Sequence, residues 1–209
     1  MIELKSVSKS FGNEPILDNI NLIIDDGEFV IFKGPSGCGK TTLLNMIGSI
    51  EPFDSGEILI NGLDVSNKKN RQVILSQEVG FLFQEFALVE DKTVKQNLAY
   101  VKKKNRTEIN MVNALEFVGL NENILNRKIY TLSGGEQQRV AVARLILKKC
   151  NIILADEPTG SLDRDNVDLI FNLLEQINES GKTIVLVTHD QYLCEKGKRI
   201  IEIEKNFKL

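Results

Sequence analysis

The chain has 209 residues, 42 % of them hydrophobic and 26 % charged, and a formal net charge of -3. That length supports one large domain, or a domain with a subdomain, and the apolar content is enough for a core. So mild a charge excludes a nucleic-acid binder that works by bulk electrostatics. The N-terminus, Met1-Ile2-Glu3-Leu4-Lys5, holds no apolar signal-peptide core. No apolar run reaches the ~18 residues that a bilayer span needs. The expectation is a cytoplasmic chain without direct membrane insertion, whose place at a membrane would come through a partner. Cys38, Cys150 and Cys194 are far apart and fit no zinc spacing, so they read as reduced thiols.

From the N-terminus, residues 2–11 and 16–26 alternate apolar and polar positions. This predicts two strands of an antiparallel sheet, joined at the turn signal Gly12-Asn13. Gly27 precedes the apolar run 29–33, which reads as a buried parallel strand. Next come Gly34-Pro35-Ser36-Gly37-Cys38-Gly39-Lys40-Thr41-Thr42, which fit the phosphate-binding pattern G-x-x-x-x-G-K-[ST]. Leu43, Leu44, Met46 and Ile47 come after it at helical spacing, so the motif lies between a strand and a helix N-terminus. The glycines let the backbone wrap a polyphosphate. Unpaired N–H groups at the helix start face the anion. Lys40 can reach the β- and γ-phosphates, and the Thr41 hydroxyl can ligate Mg²⁺. By average residue usage, a chance match in a chain this long is about 1 in 100. Cys38 lies beside the helix N-terminus and Lys40, both of which favour a thiolate, and is expected to be the most reactive thiol.

Beyond Pro52, residues 57–60 read as a strand ended by the hairpin-type turn Asn61-Gly62. Residues 67–70 are polar and read as a loop, and 79–83 as a short buried strand ending at Gln84. Phe86, Ala87, Leu88 and Val89 form an apolar patch, either exposed for a partner or packed inside the helical block 93–148. From about 93 to 148 the pattern is helical, with candidates at 93–101, 107–118 and 136–148. Lys102-Lys103-Lys104 reads as a solvated face. A strand at 151–155, a helix at 163–178, a strand at 183–188 and a last strand at 200–204 complete the chain. Strand–helix alternation with near-continuous apolar strands predicts an α/β fold with a parallel core sheet. The predicted architecture adds an N-terminal antiparallel β subdomain and a helical subdomain inserted at about 85–148.

Asp156 and Glu157 stand at the C-terminal end of the apolar run 152–155, the sheet edge where ligands sit in open α/β folds. Asp156 can hold Mg²⁺ through water. Glu157 faces differently and can act as general base on an attacking water. Leu132-Ser133-Gly134-Gly135-Glu136-Gln137-Gln138 opens the last helix of the helical block. Ser133 with Glu136 fits a capping box. A cap does not need two glycines, which cost helix stability, whereas paired glycines admit close approach from outside. A bare helix N-terminus with a hydroxyl is a second phosphate site. Since the chain already has one nucleotide loop, a second γ-phosphate contact implies two copies clasping ATP. His189 is the only histidine and comes just after the predicted strand 183–188.

On these motifs the chain resembles the nucleotide-binding subunits of ABC (ATP-binding cassette) transporters over essentially its whole length. Residues 34–42 match Walker A, 132–138 the family signature, Ser161-Leu162-Asp163 the D-loop and Val187-Thr188-His189-Asp190 the switch-histidine loop. Gln84 falls where the family has its Q-loop glutamine, and Phe11 where an aromatic stacks on adenine. The resemblance is narrower to the lipoprotein-release, macrolide-export, bacteriocin-export and bacitracin-resistance ATPases, with the cell-division ATPase nearby. It implies an ATPase subunit that forms a homodimer, or pairs with a related ATPase, beneath an integral membrane permease. Each ATP would lie between Walker A of one subunit and Ser133, Gly134 and Gly135 of the other, with Gln137 and Asp163 beside it. Thr41 and Gln84 would hold Mg²⁺ directly and Asp156 through water. Glu157 would activate water, and His189 would sense the γ-phosphate. The work implied is export or extraction of a peptide, lipid or drug. The alternative is a non-transport ABC ATPase such as a cell-division regulator. A GTPase is rejected because Asn67-Lys68-Lys69-Asn70 lacks the guanine-reading Asp.

Overall fold

In a computed structural model of the chain, which describes residues 1–204, β1 (Ile2–Phe11) and β2 (Glu14–Ile24) pair antiparallel across the Gly12-Asn13 turn. Side-chain alternation sends Ile2, Leu4, Val7, Ile20, Leu22 and Ile24 into the core. β3 (Phe29–Lys33) is buried from Phe29 to Phe32, as a strand covered on both faces should be. α1 (Lys40–Ile47) buries Leu43, Leu44, Met46 and Ile47. β4 (Ser55–Ile60) and β5 (Leu63–Asp64) flank the Asn61-Gly62 turn. Residues 67–70 are not a loop. The Asn67 side chain accepts the Lys69 N–H and caps α2 (Lys68–Val73), a helix with no buried residue and so no apolar period to read. A π-helical turn, Ile74–Glu78, leads into β6 (Val79–Phe83).

The chain then leaves the sheet for α3 (Val94–Ala99), α4 (Met111–Phe117) and α5 (Gly134–Ile146), linked by 3₁₀ turns. The first two are shorter than their sequence patterns: α3 ends early, at the Tyr100 C-cap, and α4 starts late, where Asn110 caps it. β7 (Ile152–Asp156), α6 (Arg164–Glu179) and β8 (Thr183–Val187) return to the core. α7 (Gln191–Lys196), which the sequence pattern does not reveal, has six residues and is too short to show a helical period. β9 (Arg199–Glu202) is the last described strand.

The strands form two sheets, an antiparallel one in the order β2-β1-β4-β5 and a parallel one in the order β6-β7-β8-β3-β9. The architecture is the expected α/β fold. One core lies between the two sheets around α1, and the other lies between the parallel sheet and helices α3 to α6. The parallel register places Phe83 beside Asp156, Asp156 beside Val187 and Phe32 beside Val187. Four strands therefore end level. The residues after them, from Gly34, Gln84, Glu157 and Thr188 onward, gather at one sheet edge.

Candidate functional site

The loop between β3 and α1 turns on Gly39, which has φ +103. A Cβ there would sit 2.6 Å from Ile16 Cγ2, so only glycine fits. Gly39 offers no side-chain cap, and the first N–H groups of α1 are left for an anion. Lys40 is 6 % exposed and folds back over its own loop, with Nζ donating to the Gly34 and Pro35 carbonyls at 2.8 Å each. The Cys38 side chain points into the core between the sheets and is 3 % exposed, so the expected reactive thiol is enclosed. Burial pushes the Cys150 and Cys194 thiols up.

Two side-chain pairs face this loop. Thr41 Oγ1 donates to Asp156 Oδ1 at 2.9 Å. Burial holds the Asp156 carboxyl above its ordinary range, and the Glu157 charge adds to this. The Thr41 hydroxyl and the Lys40 charge oppose the shift. Glu157 Oε1 lies 2.8 Å from His189 Nδ1. Glu157 has φ +45, a strained setting for a residue with a side chain. It is held there because its N–H donates to the Val187 carbonyl at 3.0 Å and its carbonyl accepts from Gly160 at 3.1 Å.

A cavity of about 470 Å³ lies between these pairs. Ser36, Gly37, Gly39, Lys40, Thr41 and Thr42 line it from the loop. Gln84, Glu157 and His189 reach it from the ends of β6, β7 and β8, and Phe11 from β1. Asp156 and Gln84 share an adjoining hollow. Gly34, Pro35 and Cys38 do not line the cavity; the first two act through their carbonyls on Lys40. Ile16 lines it beside Phe11 and was not expected. Its signal was there: an apolar residue just past the turn that carries Phe11.

The residues around α5 are not brought to this cavity. Ser133 is exposed at the N-cap, its Oγ accepting the Glu136 N–H at 3.3 Å, while Glu136 Oε2 accepts the Ser133 N–H at 2.8 Å. That backbone bond holds the Glu136 carboxyl below its ordinary range, and the Ser133 hydroxyl and the charges of Arg127 and Arg139 assist, against partial burial. The two glycines differ. A Cβ on Gly135 would meet Asn166 Oδ1 at 2.3 Å, whereas one on Gly134 meets nothing nearer than 3.8 Å. Asn166 is fixed by Asp163 at 2.9 Å and by Arg139 Nη1 at 2.9 Å. Thus Gly135 serves packing within the chain, and only Gly134 is open to the outside. Gln137 Nε2 donates to the Leu132 carbonyl at 3.0 Å, and Asp163 caps α6. The patch at 86–89 is split: Phe86 and Leu88 pack against the helical core, while Ala87 and Val89 are exposed.

The profile of the family described as ABC transporter matches residues 17–160. The chain belongs to the ABC transporter family.

It is 37 % identical over 214 residues to the macrolide export ATP-binding/permease protein MacB of Campylobacter jejuni, covering 98 % of this chain and 33 % of that one. The chain thus spans about a third of that relative's length. It is 41 % identical over 212 residues to the cell division ATP-binding protein FtsE of Mycobacterium tuberculosis, covering 97 % of this chain and 92 % of FtsE. Among solved structures it is similar to the dimeric, post-hydrolysis state of the ATP-binding cassette MJ0796 bound to ADP and Pi, from Methanocaldococcus jannaschii. The TM-score is 0.84 at 37 % identity, covering 98 % of this chain and 94 % of that one.

An ABC cassette calls for Mg²⁺, and the donor set fits it. Thr41, Gln84 and Asp156 offer only hard oxygen ligands, next to a loop shaped for phosphates. Among the described residues no group of three or more His, Cys, Asp or Glu could cage a metal alone. A cation that shares its shell with a nucleotide needs no such cage.

Proposed function

We propose that this chain is the ATP-hydrolysing subunit of an ABC transporter, powering export or extraction of a peptide, lipid or drug through a separate permease. The observation that carries the reading is the Glu157–His189 contact at 2.8 Å, aimed into the cavity that the phosphate loop lines. The loop N–H groups and Lys40 bind the triphosphate, and Phe11 and Ile16 pack against the base. Lys40 must exchange two loop carbonyls for phosphate oxygens, which a stronger charge-assisted bond favours. Thr41, Gln84 and Asp156 hold Mg²⁺, which neutralises charge on the phosphates when bound. Glu157 accepts a proton from the attacking water, and His189 orients the base and touches the γ-phosphate.

Ser133 and Gly134 face outward and serve a second copy, or a related ATPase, so that ATP closes the pair and hydrolysis releases it. Gln137 and Asp163 support that face. No helix among the described residues is long and apolar enough to cross a membrane. In this reading the chain works at the cytoplasmic face, held by the permease. A groove of about 560 Å³, lined by Phe81, Phe83, Tyr100, Lys102, Lys104 and Arg144, offers the docking surface. Residues between β6 and β7 then form the helical subdomain that carries it.

The test is Mg-ATP hydrolysis by the purified chain, and its stimulation by the membrane protein that co-purifies with it. An inactive wild-type chain would overturn the reading. The identity to FtsE supports a second reading, a cell-division regulator. A division defect on deletion, with no change in export, would favour it.

A further inference from the structure

Gln138 is completely buried, yet it sits among groups the mechanism uses. Its Nε2 donates to the Phe83 carbonyl at 3.3 Å and also to the Pro158 carbonyl. Phe83 immediately precedes Gln84, and Pro158 is the residue directly after Glu157. Both neighbours are acceptors, so the amide orientation is settled: the NH₂ must face them. Its Oε1 then points away, buried and without a partner among the described residues. An orphan acceptor costs free energy that a methionine of similar shape would avoid. The amide is therefore worth more at this position for its two donated bonds than for its packing.

Two turns along the same helix, Arg144 grips the other side of Gln84. Its Nη1 donates to the Ala87 carbonyl at 2.7 Å and its Nη2 to the Phe86 carbonyl at 3.3 Å. Phe86 and Ala87 both have positive φ, +58 and +48. Such backbone persists only where its surroundings over-determine it, and a planar two-pronged guanidinium spanning consecutive carbonyls does that. Helix α5 thus holds the segment around Gln84 at residues 83, 86 and 87, while Ser133 caps the same helix.

We propose that Gln138 and Arg144 are positioning residues: a two-point clamp through which α5 sets the placement of Gln84 and ties it to the outward-facing N-terminus at Ser133. The clamp rests on the ATPase reading above and adds to it the residues that make the two ends of the site move together. Closing a partner against Ser133 shifts α5 and so carries Gln84 toward its ligand. The Pro158 bond links the same helix to the turn that bears Glu157.

The test is a double-mutant cycle on the full chain with Mg-ATP. Gln138→Met keeps length and removes the donors, and Arg144→Lys keeps charge but loses the fork. Gln138→Met is expected to lower kcat about tenfold with KM for ATP within about twofold, and Arg144→Lys to lower kcat about threefold. Both should raise the Mg²⁺ concentration for half-maximal rate. In a Gln84→Ala background Arg144→Lys should lower kcat no further, since its fork holds only the Gln84 segment, and Gln138→Met should lower it less than tenfold, keeping only the share that its Pro158 bond gives the Glu157 turn. In a Glu157→Gln background both should reduce the ATP-trapped dimer fraction seen by size exclusion. Losses that multiply in full in the Gln84→Ala background overturn the clamp alone. A wild-type chain that hydrolyses no Mg-ATP overturns the functional reading and the clamp with it.

Discussion

The end of β7 and the start of α5 both present polar groups at the terminus of a regular element, but they are finished in different ways. At β7 the side chains satisfy one another around one cavity and the hollow adjoining it, Thr41 with Asp156 and Glu157 with His189. At α5 the supporting groups bond inward, Gln137 to Leu132 and Asn166 to Asp163 and Arg139, and leave Ser133 and Gly134 exposed. The first arrangement can receive a ligand within one chain by exchanging internal bonds for bonds to it. The second has nothing of its own chain to act upon. A helix N-terminus whose cap is the reciprocal Ser133–Glu136 pair, with Ser133 itself exposed, does its work when another molecule arrives.

The largest effect that sharpens this contrast is expected from Glu157→Gln. Hydrolysis should fall about 10³-fold, in the range for loss of a general base, while ATP still binds. ATP should then trap a dimer, read by size exclusion with and without nucleotide. A variant that stays monomeric and keeps turning over would break the base assignment.

Ser133→Arg probes the other end. Hydrolysis should fall about 100-fold, since a bulky cation blocks approach of the second copy, a loss of the size seen when one oxyanion-type donor is removed. ATP affinity of the monomer, measured with a fluorescent analogue, should stay within about twofold because Ser133 does not line its own chain's cavity. An equal fall in monomer affinity would place the serine inside its own site.

The adjacent glycines separate packing from contact. Gly135→Ala drives a methyl against Asn166 Oδ1 and should cost about 1–3 kcal/mol, or several degrees of Tm. Gly134→Ala has space, so Tm should hold within about a degree while ATP-driven dimerisation weakens. Equal thermal losses would mean that both positions are internal.

Much of this contrast was legible in the sequence, for identifiable reasons. The phosphate loop and the Asp156-Glu157 strand end were readable because their chemistry fixes spacing and their strands are almost wholly apolar. The even ending of four strands was not written in any single segment, being a property of parallel register. Cys38 misled because a local argument from Lys40 and the helix N-terminus ignores which way the loop turns the thiol. The two glycines looked alike because the neighbour that separates them, Asn166, lies more than thirty residues along the chain. Gln138 was read only as the end of the signature and Arg144 passed unremarked, since a polar residue inside an amphipathic helix reads as surface until its partners are known.

The smallest expected effect concerns what an empty site costs its own chain. Burial raises the Asp156 carboxyl above its ordinary range, with the Glu157 charge adding to it, so the folded chain holds that proton more tightly than the unfolded chain does. Between the two pKa values the folded state binds more protons, and stability falls as pH rises through this window. The penalty is absent below the unfolded value near 3.9, grows toward the raised folded value and is complete above it. Asp156→Asn removes the ionisable group and keeps an acceptor for the Thr41 hydroxyl. At neutral pH the ligand-free variant should melt higher than the wild type. The gain should shrink as the pH is lowered and vanish below the unfolded pKa. The same variant should lose the extra thermal stabilisation that Mg-ATP gives over ATP with chelator, because the carboxylate that serves the cation is gone. Thermal melts across pH, with and without Mg-ATP, measure both. A lower neutral Tm, or an undiminished Mg²⁺ effect, would show that Asp156 is a structural acid and that this end of the site is stabilised by its own pairs rather than held ready for a ligand.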